Sequence, residues 1–292
     1  ISLMVLLGLI TVYLSFVVFK INIFYAHAMS MIAIIVVSNI IVYYILRRME
    51  KKSFSEGVIL PKPSSLFYSL HDYFIFGTLY FLFLICDRTL AWTTGRTHLP
   101  YIFWFNYPYE VGVDWALFPL IFTLSLVEVF MHELGFLAFD KITEVRAHDV
   151  RSFNNYFIRL YQIGVLSFFI VGSIAIVISY YIPFAMSAMG GVFKFIGVFF
   201  NLVHVMVYLF ASIAYVLLSW SLLNCIMFFS YSRPEFAIRS AGIALLVNFI
   251  VGYVFSRIFD YYYSVVGLLA GSVVFAILSS YWAIKFFRRY DY

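Results

Sequence analysis

The chain is dominated by long apolar runs that short polar stretches separate. Eight of these runs are long enough to cross a bilayer, whose hydrocarbon core of about 30 Å requires a helix of about 20 residues. They cover residues 1–19, 26–46, 73–92, 113–138, 158–182, 202–229, 236–255 and 264–287. Because the runs are continuous rather than alternating, they predict helices and not the strands of an outer-membrane barrel. The pattern predicts an all-α protein, a polytopic bundle of eight transmembrane helices.

One polar stretch, 47–70, differs from the others in composition. It begins with a run of basic residues and continues through a glycine, two prolines and two serines. Breaker residues between apolar runs are typical of a linker. We therefore predict two helices in 1–46, a cytoplasmic linker in 47–70 and a six-helix bundle in 71–292.

The composition and the placement of charge support a membrane protein. Hydrophobic residues make up 64% of the chain and charged residues 11%, against about 25% charged residues in soluble domains. If the start of the linker is cytoplasmic, 14 of the 19 basic residues lie on that side. The five on the other side are Lys20, Arg88, Arg96, Lys194 and Arg257. The positive-inside rule then places the C-terminus in the cytoplasm, and the net charge of +5 needs no nucleic-acid partner to explain it.

The predicted outer loop, 93–112, is rich in aromatic residues. Its six aromatic residues are Tyr101, Phe103, Trp104, Phe105, Tyr107 and Tyr109. Aromatic residues form belts at the membrane interface. A ligand-binding surface is the alternative interpretation of the same residues.

The most costly residue to place in the membrane is Glu128. It lies about 15 Å from the cytoplasmic end of its predicted span, near the midplane, where a charge costs about 2.5–3.5 kcal/mol. His132 is four residues further on, so it shares a helix face with Glu128 and can pair with it, whereas Glu133 is rotated away. Two interpretations stay open: a proton-responsive carboxylate that lines a hydrophilic cavity, or a structural clamp between helices.

Further polar residues lie within or at the ends of predicted spans. Asp87 and Arg88 are adjacent near the outer end of the third span and point about 100° apart, so each is expected to meet another helix or a cavity. Arg88 could instead extend to the interface. Asn201 and His204 share a helix face, and Asn248 lies inside a span. Hydrogen bonding between helices explains these three residues more simply than ligand contact.

The sequence contains no H-E-x-x-H, G-x-S-x-G or P-loop motif. We therefore predict a protein that is not an enzyme and that uses no cofactor and no metal. A membrane-embedded acyl or glycosyl transferase is the alternative, with His132 or His204 as general base. A structural subunit that anchors a cytoplasmic glycosyltransferase is a third possibility.

Several short motifs together resemble a known family. They are the run Cys86-Asp87-Arg88-Thr89-Leu90-Ala91-Trp92, the cluster Phe103-Trp104-Phe105, a fourth span with Glu128, and a closing hairpin that runs from Arg239 through Asn248 to Gly271. This arrangement resembles the second half of the Pel-polysaccharide exporters. That family is a branch of the superfamily of multidrug, oligosaccharidyl-lipid and polysaccharide flippases.

The resemblance implies both an architecture and a function. Members of the superfamily resemble two six-helix lobes joined by a cytoplasmic linker, so 1–46 would hold the last two helices of a truncated N-terminal lobe. The implied function is transport of a secreted polysaccharide or lipid-linked oligosaccharide across the bacterial inner membrane during biofilm exopolysaccharide export. The implied partners are the polysaccharide, the lipid bilayer, a cytoplasmic glycosyltransferase and other membrane subunits. Asp87, Arg88, Glu128, His132, Glu133, Asn201, His204 and Asn248 are the candidate residues of the substrate pathway.

Overall fold

The computed structural model describes residues 2–20, 23–53, 63–94, 106–144, 150–188 and 201–288. These residues are helical and contain no strand, which confirms the all-α prediction. The helices are α1 (Ser2–Tyr13), continued by a π-helical turn (Leu14–Val18), α2 (Ile23–Ser53), α3 (Pro63–Trp92), α4 (Tyr107–Trp115), α5 (Leu117–Glu144), α6 (Val150–Ala188), α7 (Leu202–Ser230), α8 (Pro234–Ile258) and α9 (Ser264–Phe287).

Seven stretches of the described chain are long and apolar enough to cross a membrane. They are Ala28–Ile45, Leu70–Trp92, Tyr107–Glu133, Asn154–Pro183, Leu202–Ser230, Pro234–Ile258 and Tyr261–Phe287. The remaining predicted span, 1–19, is helical from Ser2 to Val18 and is shorter than any of the seven. The protein is thus a multi-pass helical membrane protein.

The chain forms two compact units, Ile1–Leu66 and Phe67–Tyr292. In the first unit α1 and α2 pack as a hairpin in which Ser30 Oγ donates a hydrogen bond to the Gly8 carbonyl at 3.1 Å. The predicted linker is helical at both ends, because α2 continues to Ser53 and α3 begins at Pro63. Its middle, 54–62, lies outside the described residues. Lysine and arginine favour helices, and a proline at the first helical position begins one rather than breaking it.

The second unit is arranged around α7, the most buried of the candidate spans. Polar side chains bind α7 to three neighbours. Tyr161 on α6 donates to Asn224 Oδ1, and Asn224 Nδ2 donates to Ser279 Oγ on α9, both at 3.0 Å. Ser219 Oγ on α7 donates to Thr123 Oγ1 on α5 at 2.8 Å. Such bonds between helices stabilise a bundle where no water can satisfy polar groups.

The helices α8 and α9 approach each other through small residues. A Cβ atom placed on Gly267 would lie 2.5 Å from the carbonyl oxygen of Asn248, and one on Gly271 would lie 2.7 Å from Asn248 Cβ. The Asn248 Nδ2 donates to the Phe83 carbonyl of α3 at 3.1 Å. This bond confirms the predicted hydrogen bond between helices for Asn248, and the glycines let the backbones of α8 and α9 pack closely.

The predicted outer loop 93–112 is wrong over its last six residues, since α4 begins at Tyr107 rather than at residue 113. Pro108 lies in the first turn, where its missing N–H costs nothing, and Glu110 complements the positive end of the helix dipole. Tyr109 is fully buried, so a belt at the membrane interface does not explain it. The cluster of Phe103, Trp104 and Phe105 lies outside the described residues.

Candidate functional site

Four charged residues from α3 and α4 meet within the membrane-spanning region: Asp87, Arg88, Glu110 and Asp114, called here the charge cluster. Arg88 Nη1 donates to Glu110 Oε2 at 2.5 Å, and Arg88 Nη2 donates to Asp114 Oδ1 at 2.7 Å. The Glu110 side chain is buried, whereas that of Asp114 is 59% exposed. One guanidinium therefore joins a buried carboxylate to an exposed one, a task that its fork of donors suits.

Asp87 occupies the most buried position of the charge cluster. Its side chain is inaccessible to solvent, and the Tyr109 hydroxyl donates to its Oδ2 at 2.5 Å. The Asp87 Oδ1 is buried and has no hydrogen-bond partner among the residues that the structure describes. The prediction that Asp87 and Arg88 each meet another helix is confirmed, because α4 supplies a partner to both. Arg88 is held between two carboxylates rather than extending to the interface.

Two further hydrogen bonds fix α4 against the end of α3. The Trp92 indole Nε1 donates to Glu110 Oε1 at 2.6 Å, and Asn106 Nδ2 donates to the Ala91 carbonyl at 2.8 Å. The Trp92 bond occupies the second oxygen of Glu110, so both of its oxygens are satisfied. Buried polar groups that are fully paired in this way fix one arrangement of the helices.

Sequence reasoning missed Trp92, Tyr109, Glu110 and Asp114. Asp114 follows Glu110 by four residues, the spacing that places two side chains on one helix face. Pro108, two residues before Glu110, also marks a helix start. Both signals are in the sequence. An aromatic-rich segment at the boundary of a span also fits a loop at the membrane interface, and only the position of the helix start distinguishes a helix from such a loop.

A second feature of this region is a line of exposed side chains along α4 and α5. Successive members are three or four residues apart, so they lie on one face despite the turn at Ala116. The members, called here the α4–α5 stripe, are Asp114, Phe118, Ile121, Ser125, Glu128 and His132. At 1.5 Å per residue the stripe extends about 27 Å, nearly the thickness of the hydrocarbon core.

Glu128 lies on this stripe and does not form the predicted pair with His132. No hydrogen bond or ion pair joins it to another residue that the structure describes, and His132 Nδ1 instead lies 3.8 Å from Glu133 Oε1. The predicted Glu128–His132 pair is wrong, because both side chains extend from an uncovered face and His132 turns to the adjacent carboxylate. The position of Glu128 near the midplane stays a prediction.

The remaining predicted residues, Asn201 and His204, form a helix cap. Asn201 Oδ1 accepts from the Leu202 backbone N–H at 2.7 Å, and the Asn201 backbone N–H donates to His204 Nδ1 at 3.2 Å. This capping box satisfies the first turn of α7. The prediction of hydrogen bonds between helices is wrong for these two residues, because they form hydrogen bonds within the start of α7.

The charged groups brought together here are three carboxyl groups and one guanidinium. No cluster of three histidine, cysteine or acidic side chains in the described chain could hold a metal ion. Cys86 and Cys225 are buried free thiols. The exposed carboxylates of Asp114 and Glu128 can accept hydrogen bonds from hydroxyl groups.

Comparison of the chain with models of protein families, with curated proteins and with solved structures finds no match in any of the three. The function is therefore inferred from the charge cluster and the α4–α5 stripe.

Proposed function

We propose that the protein is a flippase-type transporter of the bacterial inner membrane that moves a secreted polysaccharide or a lipid-linked oligosaccharide. The observation that carries this proposal is the α4–α5 stripe, which exposes two carboxylates, Asp114 and Glu128, along a membrane-spanning helix. In this function the stripe forms one wall of a water-filled path through which the sugar passes.

The contrast with the other exposed faces supports this assignment. Within their spans, α8 exposes Leu246 and Ile250, and α9 exposes Ile277, as helices in contact with lipid do. A charged side chain in hydrocarbon costs about 2.5–3.5 kcal/mol at the bilayer centre, so ionisable groups within spans face cavities or polar partners. Carboxylates in a hydrated cavity can accept hydrogen bonds from the many hydroxyl groups of a sugar.

The proposal includes an architecture in which the second unit is one lobe and α1 and α2 belong to the other. The helical stretch from Ser2 to Val18 then counts as an eighth crossing, and the C-terminus is cytoplasmic. The charge cluster fixes α4, and with it the outer end of the stripe, through the Arg88–Asp114 bond. A cytoplasmic glycosyltransferase and other membrane subunits would deliver the polymer, as in an exopolysaccharide synthesis and export complex.

A transferase has less support from the geometry. His204 is buried, and its Nδ1 accepts the hydrogen bond of the α7 cap, so this side chain is committed to the helix start. His132 is exposed beside Glu133, and it lies outside the charge cluster.

The experiment is the substitution Glu128→Gln, followed by measurement of secreted polysaccharide in cells. The glutamine keeps the shape and some hydrogen bonding but removes the charge. Hydrogen bonds to charged groups contribute about 1.5–3 kcal/mol and neutral ones about 1, so we expect roughly a tenfold fall in secretion. Membrane levels and thermal stability of the protein should stay unchanged, because Glu128 has no partner in the described chain.

The matched control is Glu235→Gln, the same chemical change in the first turn of α8, where the carboxylate lies 3.6 Å from Arg233. This variant should secrete like wild type. Normal secretion by Glu128→Gln would contradict the proposal, as would an equal loss in both variants.

A further inference from the structure

A groove separates α6 from α9 on the second unit, and α7 forms its floor. Val165 and Phe169 line one wall, Val273 and Ile277 line the other, and Leu217 lies at the bottom. The groove encloses about 420 Å³, which is within the range of about 300–1,000 Å³ typical of small-molecule sites. Its lining is predominantly apolar.

The groove exists because α6 and α9 touch at one end only. Near the C-terminus of α9 the rings of Phe157 and Phe287 stack with centroids 6.1 Å apart, and Asn154 Nδ2 donates to the Arg288 carbonyl at 3.4 Å. Beyond this contact α7 lies between the two helices. The floor residue Trp220 donates from Nε1 to Ser280 Oγ at 2.9 Å, so the floor is fixed to α9.

The groove lies within three candidate membrane spans, Asn154–Pro183, Leu202–Ser230 and Tyr261–Phe287. Its surroundings in the membrane are therefore lipid hydrocarbon, and an apolar void there does not recruit water. An acyl chain lying along the helices fits both the apolar walls and the elongated shape. From Val273 to Ile284 the lined part of α9 extends about 16 Å.

Positive charge at one end of the groove indicates which class of lipid headgroup the groove would bind. The sequences of α6, α7 and α9 contain no aspartate or glutamate. Arg159 precedes the lining residue Gln162 by three positions, and Arg288 follows the lining residue Ile284 by four, so each arginine lies one turn beyond one wall. Both are exposed. Basic residues between transmembrane helices at the membrane surface bind anionic headgroups.

We propose that this groove is a binding site for an anionic phospholipid. One acyl chain lies between α6 and α9 over Leu217, and the phosphate contacts Arg159 and Arg288. The site goes beyond the proposed transport function and does not depend on it, because no member of the charge cluster or of the α4–α5 stripe lines the groove.

The test uses the purified full chain in detergent, titrated with phosphatidylglycerol or phosphatidylcholine of identical acyl chains. Bound lipid is counted by native mass spectrometry, and thermal stability is measured in parallel. We expect phosphatidylglycerol to bind more tightly. The double variant Arg159→Gln/Arg288→Gln should weaken its binding about 30-fold, which corresponds to about 1 kcal/mol for each basic residue removed.

Three further variants separate binding in the groove from general charge attraction. Ile277→Trp fills the groove from an exposed position and should abolish the tight binding, whereas Ile243→Trp, on the exposed face of α8, should not. Arg239→Gln, an exposed arginine of α8, is the control for charge. If Ile277→Trp does not fold, Val273→Phe replaces it.

Three results would overturn the proposal. They are equal binding of the two lipids, equal weakening by Arg239→Gln and by the double variant, and unchanged phosphatidylglycerol binding in a folded groove-filling variant. A parallel titration with an isoprenoid phosphate gives a fourth: tight binding of only that lipid to the same groove would overturn the proposal, since that occupant is a different lipid class.

Discussion

At the scale of single residues, the polar groups of the second unit divide into paired and unpaired ones. Arg88 and Glu110 satisfy each other inside the protein, whereas Glu128 has no partner in the described chain. Sequence reasoning identified Glu128 as costly in a membrane and expected Arg88 to meet another helix, a cavity or the interface, because a charge in hydrocarbon needs a partner or water. It could not predict which one is paired, because pairing depends on how helices are rotated against each other.

Removing the Tyr109 hydroxyl tests how much one such buried hydrogen bond contributes to stability. Tyr109→Phe removes the donor to Asp87 Oδ2 and leaves a fully buried carboxyl group without that bond. An unsatisfied buried polar group costs about 1–3 kcal/mol, so we expect the free energy of unfolding to fall by this amount. The measurement is thermal or denaturant unfolding of the purified protein in detergent.

Tyr281→Phe is the control for the loss of a tyrosine hydroxyl, because Tyr281 is exposed and its hydroxyl makes no hydrogen bond to the described residues. Its stability should stay within about 0.5 kcal/mol of wild type. A Tyr109→Phe protein as stable as wild type would show that Asp87 does not depend on the Tyr109 hydrogen bond.

At the scale of helices, the long apolar runs predicted most of the helices. The predicted boundaries were misplaced where polar or aromatic residues follow or precede a run. The second span continues to Ser53 because basic residues extend a helix beyond the membrane. The start of α4 at Tyr107 was missed because the aromatic residues there suited a loop at the membrane surface. Close packing of α8 on α9 was not predicted, because small residues in an apolar run do not by themselves specify a partner helix.

Gly267 tests this packing. A methyl group on Gly267 would overlap the backbone of α8 at Asn248 and Gly252, and backbone atoms cannot move aside as the end of a side chain can. We expect Gly267→Ala to lower the stability by about 1–3 kcal/mol, as overpacking does, despite the better helix propensity of alanine. Unfolding in detergent is again the measurement.

Gly77→Ala is its matched control. Gly77 is also helical, but a Cβ there would meet no atom of another residue within 4 Å. This variant should be as stable as wild type or slightly more stable. If the two alanine variants have the same stability, α8 and α9 are not packed as closely as the glycines indicate.

At the scale of the whole molecule, hydropathy was sufficient to predict a multi-pass helical protein, because the bilayer accepts few other structures. The arrangement around α7 was beyond such reasoning. In the sequence Asn224 is a single polar residue in an apolar run, but in the structure its amide group forms hydrogen bonds to both α6 and α9. The α4–α5 stripe was only partly predictable: Glu128 and His132 share a face by spacing, but their exposure depends on which side of α5 packs on α7.

A transport path along α4 and α5 requires the α4–α5 stripe to face water rather than lipid. Cysteine accessibility in intact membranes tests it most directly, because a maleimide reacts with the thiolate, which forms only where water reaches the side chain. Cys86 and Cys225 are buried, so the unmodified protein should give little background reaction. Single cysteines are placed at Ser125, on the stripe, and at Ile250, on the exposed face of α8.

With a water-soluble maleimide, we expect rapid labelling of Ser125→Cys and little labelling of Ile250→Cys. Both variants should label fully after denaturation, which shows that the thiols are intact. Protection of both positions until the membrane is dissolved would mean that the stripe faces lipid or a tightly packed partner, and it would contradict a water-filled sugar path along α4 and α5.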